Sequence, residues 1–285
     1  MKTLILGAKG MLGHELAKAF LDFKPFLWDM EEIDITNETQ VNEKISDLAP
    51  ELIINAAAYT NVDACETNEE LATKVNGQAV GYLANVAAKL GATLVHYSTD
   101  YVFDGSSKEG YKEDDEPNPI NAYGRSKLEG ELRVQRSELR DWYIIRTAWL
   151  YGKDGKNFVE TMLGLAEKGE PIKVIDDQVG SPTYAVDLAQ ATRDLIESKK
   201  PSGIYHRTNS GQTSWHGFAK EIFEVFSALG GSASGGNKQV NLSPCATSEY
   251  PLPAQRPAFS VLQSTKLETM RSWQEALRDY KNNRL

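Results

Sequence analysis

Tyr123-Gly124-Arg125-Ser126-Lys127 is a stretch whose residue types and spacing could do chemistry. Residues four apart on a helix share a face, so a phenol and an ammonium would lie side by side. An ordinary tyrosine titrates near pH ~10, and a neighbouring positive charge lowers that value by favouring the phenolate. A tyrosine tuned in this way can give a proton to a developing alkoxide, which carbonyl reduction by hydride requires. Upstream, a strand pattern runs out in His96-Tyr97-Ser98-Thr99-Asp100-Tyr101. Open α/β sheets bind ligands at the C-terminal ends of their strands, and there Ser98 or Thr99 could bond a substrate oxygen and align it with Tyr123.

A second stretch could hold a phosphorylated cofactor. Gly7-Ala8-Lys9-Gly10-Met11-Leu12-Gly13 follows the first apolar run and opens the first helical pattern. Glycines there permit a tight turn, let backbone amides approach a pyrophosphate, and let the helix pack close to its strand. The helix N-terminus adds partial positive charge. The spacing is G-x-x-G-x-x-G rather than G-x-G-x-x-G, so position carries the reading more than pattern. Asp29 closes the second apolar run, where an acid can bond the adenine-side ribose and repel a 2′-phosphate. Lys9 points the other way, and NADPH and NADH both stay open.

The elements that must position these residues alternate. Strand patterns at Thr3–Leu6, Pro25–Asp29, Leu52–Asn55, Thr93–Ser98 and Trp142–Thr147 are separated by helical periodicity. Leu71, Val75, Ala79, Leu83, Val86 and Leu90 read as one long helix ended by Gly91, and a further helix spans Tyr123–Arg136. This alternation predicts an α/β fold of the Rossmann type, a doubly wound parallel sheet. Residues 1–150 would form the dinucleotide-binding domain. Residues 151–285, with helical stretches at Asn157–Lys168, Thr183–Ser198 and Ser214–Leu229, would form a smaller C-terminal substrate-binding lobe, some of whose segments return to the first domain. Gly230–Gln239 reads as a flexible connection by composition.

Composition narrows the classes. The 285 residues carry a net charge of −9, a poor match for a nucleic-acid surface. The hydrophobic fraction of 41% supports a sizeable core. No apolar run approaches the ~20 residues of a membrane span, and the N-terminus shows no secretory pattern. A cytoplasmic protein with no membrane or nucleic-acid partner is expected. Cys65 and Cys245 fit no metal-ligand spacing and read as structural thiols.

Taken together, GAKGMLG (Gly7–Gly13), DIT (Asp34–Thr36), NAAAYTNVDACE (Asn55–Glu66), STDYVFDG (Ser98–Gly105), YGRSK (Tyr123–Lys127), RTAWLYG (Arg146–Gly152), NFVETM (Asn157–Met162), DDQVGSPTYAVDLA (Asp176–Ala189) and RPAFSVL (Arg256–Leu262) have a distinctive order and spacing. Over nearly the whole length the chain resembles the extended short-chain dehydrogenase/reductase family. Within it, the motifs are most similar to the branch that reduces the C4 ketone of dTDP-6-deoxy-L-lyxo-4-hexulose (dTDP-4-dehydrorhamnose) to dTDP-L-rhamnose.

The resemblance implies that Tyr123 donates the proton, that Lys127 holds the nicotinamide ribose, and that Thr99 takes the place usual for serine. It implies cofactor contacts at Gly7, Gly10, Met11, Leu12, Gly13, Asp29, Tyr123 and Lys127, adenine flanked by Asp34 and Ile35, and a cofactor wall at Ala56, Ala57 and Ala58. Thr60, Val62, Asp100, Trp149 and Asn157 would face the sugar nucleotide, with Arg256 available to its diphosphate or to a loop. Some members bind Mg²⁺ between subunits through acidic side chains. Glu15 fits the first ligand, but Val186 stands where the next acid is expected. The sequence therefore supports no metal site, Glu15 reads as a solvated helix residue, and a monomer and a homodimer both stay open. Two rival readings are another nucleotide-sugar ketoreductase or epimerase, and a non-catalytic cofactor-binding subunit like the regulatory subunit of methionine adenosyltransferase. The intact Thr99–Tyr123–Lys127 set disfavours the second.

Overall fold

Short apolar runs become strands covered on both faces. β1 (Thr3–Leu6) and β3 (Leu52–Asn55) are buried at every position, as expected of a parallel sheet sandwiched between helices. The computed structural model describes residues 1–227 and 240–284. β1, β2 (Phe26–Trp28), β3, β4 (Thr93–Thr99), β5 (Trp142–Thr147) and a sixth strand, Gly203–His206, form one sheet in the order β2-β1-β3-β4-β5-sixth. Every pairing is parallel. The chain turns outward from β1 to β2, then crosses back to β3 on the other side of β1. That reversal opens a crevice beyond the ends of β1 and β3, where such sheets take ligands.

The helices are α1 (Met11–Ala19), α2 (Glu38–Leu48), α3 (Val62–Thr67), α4 (Glu69–Thr73), α5 (Ala79–Leu90), α6 (Ala122–Gln135), α7 (Phe158–Lys168), α8 (Ala185–Glu197), α9 (Trp215–Ser227) and α10 (Trp273–Asn283). One apolar cluster packs α2 and α5 on one face of the sheet through Val41, Ile45, Val80, Leu83 and Val86. Another packs α1 and α8 on the other through Leu12, Leu16, Leu188 and Leu195. A third cluster has its buried described members all after residue 150, with Tyr151, Phe218, Trp273 and Tyr280 among them and Trp149 packed against it. Within that later half, the sixth strand returns to the main sheet.

The predicted helix across Leu71–Leu90 is not continuous. Lys74–Gln78 forms a π-helical turn between α4 and α5, and Leu71 is exposed rather than in the core. The turn has a local cause. Asn76 is buried, accepts from the Tyr59 backbone N–H at 2.8 Å, and donates to the Tyr59 carbonyl (2.9 Å) and Ser126 Oγ (3.0 Å). The extra residue of a π turn aims that amide sideways between two segments. The predicted flexible connection at Gly230–Gln239 and the last two residues of the helix predicted over Ser214–Leu229 lie outside the described residues. No described helix is long and apolar enough to cross a membrane.

Candidate active site

The glycine turn is shaped by contact. Gly7 has φ +73°, and a Cβ on it would lie 2.6 Å from the Ala57 nitrogen. One on Gly13 would lie 2.1 Å from the Gly7 carbonyl oxygen. Only glycine allows the turn, β3's exit and α1 to meet this closely. Gly10 caps α1 with no side-chain hydrogen bond, which leaves the first amides of that helix free for an anion. Met11 begins α1 and reaches Gly152 and Gly155, and Leu12 is buried in the core.

A cleft of about 720 Å³ opens here, lined by Gly7, Gly10, Asp29, Asp34, Ile35 and Ala56–Ala58 among others. These observations fit a dinucleotide. The Asp29 carboxylate accepts from the Lys9 backbone N–H (2.9 Å) and the Met30 N–H (2.8 Å). The Lys9 ammonium pairs with Glu31. Asp34 accepts from the Thr36 hydroxyl (2.7 Å) and backbone N–H (2.9 Å), and these bonds hold its carboxyl below the usual range.

Beyond the end of β4 the catalytic candidates converge. Asn121 caps α6 by accepting from Gly124 N–H at 2.7 Å, which sets Tyr123 and Lys127 one turn apart at the helix start. Lys127 is buried and donates to the Tyr97 carbonyl at 2.6 Å. Burial pulls its ammonium down to about 8, against Glu131, which raises it. Thr99 lies beside the Tyr123 phenol. Burial pushes that phenol well above the ordinary tyrosine range, the Asp100 and Cys65 charges add to this, and Thr99 opposes it. The sequence-based expectation that Lys127 lowers the tyrosine is therefore corrected: the Lys127 ammonium is directed at the Tyr97 carbonyl, and desolvation dominates.

Ser98 faces away from this point and donates to Glu131 at 2.5 Å, which leaves Thr99 as the hydroxyl beside the phenol. Asp100 is buried, its Oδ1 accepting from Thr99 Oγ1 at 2.8 Å. Burial pushes its carboxyl up to about 6, with Ser260 and Thr99 opposing. Its Oδ2, and the Oγ1 of Thr147 in register with Thr99 on β5, are buried without a hydrogen-bond partner among the described residues. Unpaired buried oxygens are costly, and these two fit a polar ligand at the strand ends.

The structure distributes the predicted substrate residues unevenly. Thr60, on the segment leading into α3, is exposed, and Val62, the first residue of α3, is half-buried. Trp149 has φ +45°, and its indole stacks on Trp215 at 3.5 Å between ring centres. A Cβ on Gly180 would strike the same ring at 2.5 Å. Asn157 is the cap of α7, accepting from Glu160 N–H and donating to the Gly152 carbonyl at 2.8 Å. Arg256 makes a two-pronged pair with Asp63 on α3 at 2.6 and 2.8 Å. Glu15 is not a solvated residue: it is buried and accepts from Lys18 at 2.8 Å, because α1's inner face lies against α8. No cluster of metal-ligating side chains occurs among the described residues.

Sequence reasoning passed over several residues that hold this site. Asn55 and His96 are buried polar residues in otherwise apolar strands, and that mismatch was their signal. Asn76 had none. Glu131 and Arg146 form a fully buried two-pronged ion pair (2.9 and 2.7 Å) behind Ser98, and only the fold brings them together.

The family profile described as RmlD substrate binding domain matches residues 1–284. A dTDP-4-dehydrorhamnose reductase of Burkholderia thailandensis is 43% identical over 94% of this chain and 92% of its own length. The crystal structure of a dTDP-4-dehydrorhamnose reductase from Clostridium acetobutylicum superposes with a TM-score of 0.92 at 42% identity, covering 99% of each chain. One from Bacillus anthracis, in complex with NADP, gives 0.92 at 39% identity over 99% of this chain and 100% of that one.

Proposed function

The chain belongs to the RmlD substrate-binding domain family, and on that premise we infer that it is an NAD(P)H-dependent oxidoreductase that reduces the C4 ketone of dTDP-6-deoxy-L-lyxo-4-hexulose to dTDP-L-rhamnose. The observation that carries this reading is the placing of the half-buried Tyr123 beside buried Thr99 at the end of β4 and one turn from buried Lys127, together with a glycine turn and a helix N-terminus that no side chain caps. When bound, the reduced nicotinamide supplies the hydride. The α1 amides and Gly7–Gly13 would hold its pyrophosphate, and Ala56–Ala58 would let backbone approach it. Asp34 and Ile35 would border the adenine.

The protein's own part is to aim the ketone and give it a proton. Thr99 orients the carbonyl oxygen toward Tyr123. Because burial keeps the phenol protonated at neutral pH, Tyr123 is in its donor form throughout the working range. Lys127, one turn along α6 and held by the Tyr97 carbonyl, would bond the nicotinamide ribose through its ammonium. Thr60, Val62, Asp100 and Trp149 border the sugar nucleotide. Residues 1–150 carry the dinucleotide, and 151–285 contribute mainly to the sugar-nucleotide side. The reaction takes place in the cytoplasm, on a monomer or homodimer.

The test is turnover of the dTDP-4-keto sugar followed by loss of NADPH or NADH absorbance. Tyr123→Phe is expected to lower kcat by about 10²- to 10⁴-fold while leaving cofactor affinity within about twofold, since it removes one hydroxyl and no charge. A variant that reduces the ketone near the original rate would remove Tyr123 from the mechanism.

A further inference from the structure

His96 lies on β4, is buried, and belongs to no step described above. Its hydrogen bonds fix its tautomer. The Ala57 backbone N–H donates to Asn55 Oδ1 at 3.2 Å, so the other end of that amide, Nδ2, must face the ring. Asn55 Nδ2 sits 3.2 Å from His96 Nδ1 and donates to it. A neutral imidazole has one lone pair and one N–H. With the lone pair taken at Nδ1, the hydrogen is on Nε2. Burial, and then the Lys127 charge, hold the ring well below the usual histidine range, so a second proton is excluded near neutrality.

His96 Nε2 faces Lys127 Nζ at 3.5 Å. An ammonium offers only donors and so meets the Nε2–H as donor against donor. An amine has a lone pair and can accept it. Also near Lys127 are the Tyr97 carbonyl on β4, which accepts from either form, Glu131 on α6, whose carboxylate is already bonded by Arg146 and Ser98, and the phenol of Tyr123 one turn earlier on α6, which burial keeps neutral.

We propose that His96 is a positioning residue of the reductase: it offers Lys127 a hydrogen bond that only the neutral amine can accept, and through Asn55 it ties that choice to the Ala57 backbone at the cofactor cleft. The proposal rests on the reductase reading for its consequence in turnover, but not for the hydrogen bond itself. His206 supplies an internal contrast. Its Nδ1 lies 3.0 Å from the Gln263 carbonyl oxygen and must carry the hydrogen, while its Nε2 accepts from Arg146. The two buried histidines therefore hold opposite tautomers.

Two measurements decide it. In ¹⁵N-histidine NMR of the full chain, His96 is expected as the Nε2–H tautomer, without titrating between about pH 5.5 and 8.5. Its signals are assigned by their loss in His96→Gln or, should that variant not fold, by elimination with variants of the other three histidines. An Nδ1–H tautomer, or an imidazolium near neutral pH, overturns the proposal. In turnover, kcat should fall as pH rises through the Lys127 value. His96→Gln can turn a carbonyl oxygen to the ammonium, so it should move that alkaline limb upward by about half a pH unit, roughly threefold in the acid constant. A limb that stays in place while kcat drops equally at every pH means a merely structural His96 and overturns the proposal. If the wild type fails to turn over the dTDP-4-keto sugar, the reductase reading fails, and the tautomer measurement still decides the bond.

Discussion

Two carboxylates and a phenol show how far a residue's neighbours outweigh its type. Tyr123 and Lys127 are where helical spacing puts them, yet the charge effect read from that spacing is reversed by burial, because spacing says nothing about solvent. Asp100 is likewise a carboxyl pushed up to about 6 by burial. Asp29 keeps water-facing surroundings at the cofactor cleft. Its carboxylate is bonded by two backbone amides while Lys9, the nearby cation, is paired with Glu31, so local negative charge is incompletely offset where a 2′-phosphate would lie. Asp29→Asn keeps an oxygen for one amide and removes the charge. It should move the ratio of kcat/KM for NADPH over NADH toward NADPH by about tenfold, an amount typical of one like-charge contact at partial exposure. Steady-state kinetics with each cofactor measure this, and an unchanged ratio would mean that the carboxylate does not sense the 2′ position.

At the level of elements, the strands were the most legible part of the chain. Thr3–Leu6, Leu52–Asn55 and Trp142–Thr147 coincide with their apolar runs, since a strand covered on both faces needs nothing else in its sequence. The helix pattern across Leu71–Leu90 misled for a definite reason. Periodicity registers which residues are apolar, whereas the π turn at Lys74–Gln78 is set by one polar side chain bridging two distant segments. Its partner is α6. A Cβ on Gly130 would lie 2.3 Å from the Asn76 carbonyl oxygen and 3.3 Å from His96 Nε2, so α6 reaches its place only because that position is bare. Gly130→Ala should destabilise the protein by about 1–3 kcal/mol, the usual cost of overpacking, and should lower kcat by displacing Lys127. Gly164→Ala on α7, where the added Cβ meets nothing within 4 Å, should be neutral or stabilising by up to about 1 kcal/mol. Denaturant midpoints of the two variants test the pair, and equal effects would refute the contact.

Across the whole molecule, the later half was the least legible because its contacts are long-range. The return of Gly203–His206 to the sheet, the Arg256–Asp63 pair and the Trp149–Trp215 stack join residues that no local pattern connects. The same long-range packing buries two histidines, His96 and His206, and this gives the fold an acid-sensitive balance. Burial and then the Arg146 charge hold His206 down at about 4, with Glu113 opposing. His96 is held well below its usual range. Both stay neutral in the folded protein over a span where an unfolded chain would protonate them, so their contribution to stability is present above about pH 6.5 and is lost as pH falls. Asp100 works the other way. Its folded value of about 6 exceeds the unfolded one, so its contribution is full at low pH and is lost as pH rises through 6. Between about pH 6 and 4.5 the unfolded chain binds two protons on the histidines against one on folded Asp100. The net is a loss of stability across that interval. Urea midpoints at pH 6.5 and 4.5 should show the drop, and His206→Asn should flatten it. A midpoint that holds steady or climbs on acidification would mean that Asp100 outweighs the imidazoles, and that the strand-end carboxyl is the group whose charge the fold disfavours most.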